Sequence, residues 1–108
     1  MKVSLTIYFD YDNKSYDDKE KVTSDLLMNF GEFCENTEFN FQSIPRIGER
    51  IDAEPLLLKW TKDDGYDSKA FSRVFQALRD GSFLVEEVYH SFDLCTIHCS
   101  DIENREIE

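Results

Sequence analysis

The chain is short of the residues that punctuate or cross-link a fold. Two prolines and four glycines in 108 residues leave no room for a linker or a low-complexity segment. Three cysteines, Cys34, Cys95 and Cys99, are an odd count and make no disulfide framework, so a reduced, cytoplasmic protein is expected. No run approaches the ~20 apolar residues of a membrane span. The N-terminal stretch, residues 2–9, alternates polar and apolar side chains and lacks the unbroken apolar run of a signal peptide. Basic residues are scarce too: 12 Lys and Arg face 23 Asp and Glu, a formal net charge of −11. That deficit argues against direct contact with nucleic acid, which needs clustered Lys and Arg, and against an anionic membrane surface. There is no P-loop, dinucleotide fingerprint or nucleophile elbow, and no cofactor is expected.

What is present is material for a core. Hydrophobic residues make up 41% of the chain, with nine Phe, five Tyr and one Trp, enough for one domain over residues 1–108. No internal repeat is visible, and the acidic tail at 101–108 is expected to fray.

Val3, Leu5, Ile7 and Phe9 alternate with Lys2, Ser4, Thr6 and Tyr8, the period of a strand with one buried face. A polar loop follows. Its Asp10-Tyr11-Asp12 opening hints at a calcium loop, but Lys14, Ser15 and Lys21 occupy the positions such a loop reserves for a ligand, a glycine and a glutamate. Leu26, Leu27, Phe30, Phe33 and Cys34 recur at helical spacing behind a cap at Thr23 or Ser24. Residues 37–43 read as a strand with Phe39 and Phe41 on one face.

Pro45 ends that strand, and Gly48 supplies a tight turn in the stretch 43–52, with Ile44, Ile47 and Ile51 stapling the turn to the core. After Pro55, Leu56-Leu57-Leu58-Lys59-Trp60 reads as a strand, followed by an Asp64-Gly65 turn. A second helix follows a cap at Asp67 or Ser68, with Ala70, Phe71, Val74, Phe75 and Leu78 inward and Gly81 as its stop. Its outer face carries Lys69, Arg73, Gln76 and Arg79, which would pair with acids on an adjacent strand. The last elements are a strand from 82 to 92, bulged at Glu86-Glu87 because Val85 and Val88 are three apart, and a hairpin partner at 94–100 with Cys95, Ile97 and Cys99 on one face. The order implies an α+β domain: a small, strongly curved antiparallel sheet or barrel-like β-domain with two helices.

Pro45-Arg46-Ile47-Gly48-Glu49 and the later Val85-Glu86-Glu87-Val88-Tyr89-His90 resemble a pattern in small uncharacterised bacterial proteins, in which a Pro-Arg-x-Gly-Glu turn precedes a Val-x-x-Val-x-His strand. The resemblance implies a small barrel-like β-domain. It brings no catalytic residue with it.

Chemistry-bearing residues are few. Cys95, His98 and Cys99, with His90 across the hairpin, are zinc-type ligands, yet on a strand His98 faces away from both cysteines. A Cys95–His90 pair is conceivable as nucleophile and base but has no supporting motif. The expected function is therefore a small acidic binding protein, immunity- or inhibitor-like, for a basic macromolecular partner. Tyr8, Tyr11, Tyr16, Trp60 and Tyr66 are its candidate interface anchors. The alternatives are a small-ligand or catalytic domain with a pocket near His90, or an accessory domain that assembles with itself.

Overall fold

Alternation opens the fold as the pattern demands. In a computed structural model of the chain, residues 2–9, 22–78 and 81–101 are described. Lys2–Tyr8 form β1, sending Val3, Leu5 and Ile7 into the core. The loop with the calcium-like opening lies outside the described residues. Val22–Asn36 form α1, where Leu27, Phe30 and Cys34 are fully buried at the spacing of a single helix face. Leu26 and Phe33 close the margins of that face.

The strand expected over 37–43 shrinks to β2, Phe39–Asn40. Beyond it the chain reaches β3, Arg50–Asp52, through the anticipated turn. Gly48 holds φ at 92°, a conformation cheap only for glycine. Its N–H donates to the Val85 carbonyl at 2.9 Å, which moors the turn to the later strand. The charges on the turn are partly spent on closing it: the Arg46 N–H donates to Glu49 Oε1 at 2.6 Å. Ile51 is buried and Ile44 packs at the core margin, but Ile47 is 67% exposed, so two of the three expected staples hold.

Residues 56–60 are not a strand. Ala53–Asp64 form α2, which buries Ala53, Leu56, Leu57 and Trp60, the i, i+3, i+4, i+7 stripe of a helix. Pro55 sits in the first turn, where its missing N–H would have had no helical acceptor anyway. The Asp64-Gly65 pair ends this helix instead of linking two strands, with Gly65 as a left-handed cap at φ 77°.

Ser68–Ala77 form α3, capped by Asp67, whose carboxylate accepts from the Ala70 N–H at 3.0 Å. Replacing Asp67 with Ala is expected to cost about 1 kcal/mol, read as a lower urea midpoint with an unchanged slope, and Asp67→Asn should retain most of it. Ala70, Val74 and Leu78 are buried, whereas Phe75, placed inward by its spacing, is 37% exposed and stacks on Phe71 at a centroid distance of 5.9 Å. α3 packs chiefly on α1 and α2, and among the described residues no ion pair joins Lys69 or Arg73 to an acid on a strand; Arg79 lies outside the described residues.

Ser82–His90 and Cys95–Ser100 form β4 and β5. The expected bulge is present: Val85 pairs with Cys99 and Glu87 with His98, leaving Glu86 as the extra residue. The sheet runs β2-β1-β5-β4-β3 and curls into a half-barrel. It is mostly antiparallel, but β1 and β5 are parallel neighbours. The architecture is thus a small α+β domain, with three helices among the described residues where two were expected. Asp101, assigned to the fraying tail, is 5% exposed, and its N–H bonds to the Tyr8 carbonyl.

One contiguous core joins all three helices to a single face of the sheet. At its centre Phe30 meets Trp60 at 5.4 Å and Phe83 at 6.2 Å, ring centre to ring centre. No helix among the described residues is long and apolar enough to cross a membrane. The opposite face of the sheet is covered by no helix among the described residues, and the chemistry gathers there.

Candidate functional site

The open face follows from register. The parallel β1–β5 pair sets Thr6 beside His98, and the antiparallel β4–β5 pair sets Glu87 on its other side. Tyr8 and Tyr89 flank the same imidazole. The Tyr8 ring lies edge-on at 5.8 Å and the Tyr89 ring at 4.9 Å, centroid to centroid. Tyr8 Oη is 3.3 Å from His98 Nδ1, and Glu87 Oε1 is 3.6 Å from that same nitrogen. A neutral ring can accept from the Tyr8 hydroxyl there, while an imidazolium would donate to the carboxylate. The Glu87 carboxylate favours the protonated Tyr89 hydroxyl and so holds that phenol above its usual pKa, with smaller contributions from burial and from the charges of Glu87 and Tyr8.

Tyr8 and Tyr89 are 46% and 50% exposed, and Phe92, at the tip of the β4–β5 hairpin, is fully exposed. The segment 82–101 that supplies most of this surface contains Glu86, Glu87, Asp93 and Asp101 and neither Lys nor Arg. The described basic residues of the helices, Lys59, Lys62, Lys69 and Arg73, belong to α2 and α3. Lys2 and Arg50 alternate with buried Val3 and Ile51 and so lie on the open face, where Lys2 pairs with Glu38 at 3.6 Å and Arg50 Nη1 donates to Ser82 Oγ at 3.3 Å.

Of the described candidate anchors, Tyr8, Trp60 and Tyr66, Tyr8 lies in this cluster and the other two do not. Trp60 is fully buried and offers nothing to a partner, because the helix that replaces its expected strand turns it into the core. Tyr66 is half-buried with its ring 4.5 Å from that of Trp60. Tyr11 and Tyr16 lie outside the described residues. Glu87, Tyr89, His98 and Phe92 were not singled out as anchors. Strand alternation already put His98 opposite Cys95 and Cys99, but only the β1–β5 pairing brings it to Tyr8.

His90 is exposed at the end of β4, its Nδ1 3.9 Å from Cys95 Sγ. The pairing conceived from sequence therefore exists in space. Burial pushes the Cys95 thiol up rather than down, which disfavours the thiolate, the reactive form. Elsewhere, a shallow cavity of ≈ 390 Å³ is lined by Asn29, Glu32, Phe33, Asn36, Thr37 and Asp64, without a histidine or cysteine. Among the described residues no three His, Cys, Asp or Glu side chains are grouped to hold a metal ion.

Fold and surface together define a small α+β domain with an aromatic cluster, Tyr8, Tyr89 and His98, on the sheet face turned away from the described helices. No protein-family model, curated protein or solved structure matches the chain.

Proposed function

We propose that the chain is a small acidic binding protein, of the immunity- or inhibitor-like kind, that receives a basic protein on the open face of its sheet. The observation that carries this reading is the pair of half-exposed tyrosines, Tyr8 and Tyr89, around His98 and Glu87, beside a β4–β5 hairpin that has carboxylates and neither Lys nor Arg. Tyrosine is a favoured hot-spot residue because it brings apolar area and a hydroxyl at little entropic cost. An acidic rim steers a basic partner and rejects an acidic one. The three thiols are free and buried, which suits a reducing compartment, and the cytoplasm belongs to the same proposal.

The test is capture of partners from the native organism by immobilised protein at low and high salt, repeated with a Tyr8→Ala/Tyr89→Ala variant whose folding is checked by circular dichroism. A basic protein should be retained by the parent chain, with affinity falling roughly tenfold or more between low and moderate salt. The double variant should lose about 2 kcal/mol or more of binding. Retention indifferent to both salt and the two substitutions would sink the proposal.

A further inference from the structure

The outer edge of β4 is only half covered. β3 pairs with Ser82, Phe83 and Leu84, and the turn before β3 takes both backbone groups of Val85. From Glu86 to His90 the strand pairs with β5 on one side, and among the described residues nothing pairs with the other. Backbone groups alternate in direction along an antiparallel pair. The Ser91 N–H donates back to the Leu94 carbonyl at 3.0 Å, so the alternation counted from that bond points the amide and carbonyl of Val88 and His90 outward. This is a short template for an added strand.

Resting on the binding function proposed above, we infer that this edge receives an extended segment of the basic partner, which adds a sixth strand beside Glu86–His90. The chemistry of the segment follows from the side chains it would meet. Glu87 and Tyr89 stand on the open face, where a Lys or Arg opposite them gains a carboxylate and a ring face. Val88, on the other face, is partly buried against the core and calls for an apolar residue. The occupant is therefore a segment alternating basic and apolar residues. A second copy of the chain fits badly: antiparallel self-pairing would set Glu86 and Glu87 of both copies in one short ladder, between two chains of net charge −11. The bulge at Glu86 is a further guard against such pairing. Strand addition supplies affinity through the main chain and specificity through alternate side chains.

The experiment follows amide hydrogen exchange in the full chain with and without a short synthetic peptide alternating lysine and valine. The amides of Val88 and His90 should exchange about tenfold or more slowly with the peptide present, and N-methylation of alternate peptide nitrogens should abolish the effect. His90→Pro removes an outward N–H at a position where an edge strand tolerates proline, and it should abolish protection of Val88. Should that variant fail to fold, the N-methylated peptide on the parent chain gives the same readout. A peptide that perturbs Tyr8 and Tyr89 but leaves Val88 and His90 unprotected overturns strand addition while leaving the open-face proposal standing. Protection of these amides together with a doubled mass in the absence of peptide overturns the basic occupant in favour of a second copy. No protection under any condition overturns the inference, and the salt-dependent capture above then decides the broader function separately.

Discussion

Trp60→Ala is expected to lower stability by about 3–5 kcal/mol, the usual range for deleting a large buried aromatic. The indole is fully buried, meets Phe30 edge-on at 5.4 Å and lies against Tyr66 at 4.5 Å. The void left behind could not close without moving two helices. In a domain of this size the loss corresponds to a melting temperature roughly 12–20 °C lower, and it approaches the entire stability of a marginal protein. Trp60→Phe should cost less than half as much. It keeps a ring against Phe30 and removes the indole N–H, which is buried with no hydrogen-bond acceptor among the described residues and carries a desolvation cost there. The neighbouring leucines supply a control for the helix itself. Leu57 is fully buried and Leu58 is 54% exposed, so Leu57→Ala should cost about 2–4 kcal/mol and Leu58→Ala within about 0.5. A strand would have put Leu56 and Leu58 on one face and Leu57 on the other. Equal and large losses at Leu56 and Leu58 with a small one at Leu57 would overturn α2.

Much of the fold was legible wherever one periodicity dominated. β1, α1, α3 and the β4–β5 hairpin follow from alternation or helical spacing, and the bulge follows from Val85 and Val88. α2 was misjudged because three consecutive leucines after a proline look like a buried strand. The deciding evidence was Ala53, four residues before Leu57 and seven before Trp60, together with the tolerance of a first helical turn for Pro55. Phe75 and Ile47 show a second limit, since spacing places a residue on a face without saying whether anything covers it. The site was half legible. His98 could be assigned to the solvent side of its strand, and Tyr8 to the solvent side of another. That they touch depends on a parallel pairing between the first and last strands, across more than ninety residues of chain, which no local pattern encodes. Trp60 was the reverse case, an aromatic whose role as an anchor fell once its strand became a helix.

Alkaline pH should weaken the protein through two thiols that have no catalytic part. Burial pushes Cys99 up to about 12, with a smaller push from Glu86. It pushes Cys34 higher still, with added repulsion from Cys99 and Glu35. In the unfolded chain both thiols titrate near 8.5 or so, about the ordinary value for cysteine. Below that pH both states hold the protons and the thiols add no pH dependence. Above it the unfolded chain releases protons that the native state keeps, so the unfolded state binds fewer and stability falls as pH rises. The loss continues until the pH reaches the raised native values. Its slope is about 1.4 kcal/mol per pH unit for each thiol, or roughly 2 kcal/mol per thiol by pH 10, where tyrosine and lysine also titrate and a variant lacking the thiols isolates the cysteine share. Urea midpoints taken under reducing conditions at neutral pH and at steps up to pH 10 should therefore drop steeply. A Cys34→Ala/Cys99→Ala variant starts lower, because its core has two small voids, but its midpoint should decline much less over the same interval. If the two proteins lose stability in parallel, the alkaline limb has another origin, and the thiols are not buried as the packing of α1 against the sheet requires.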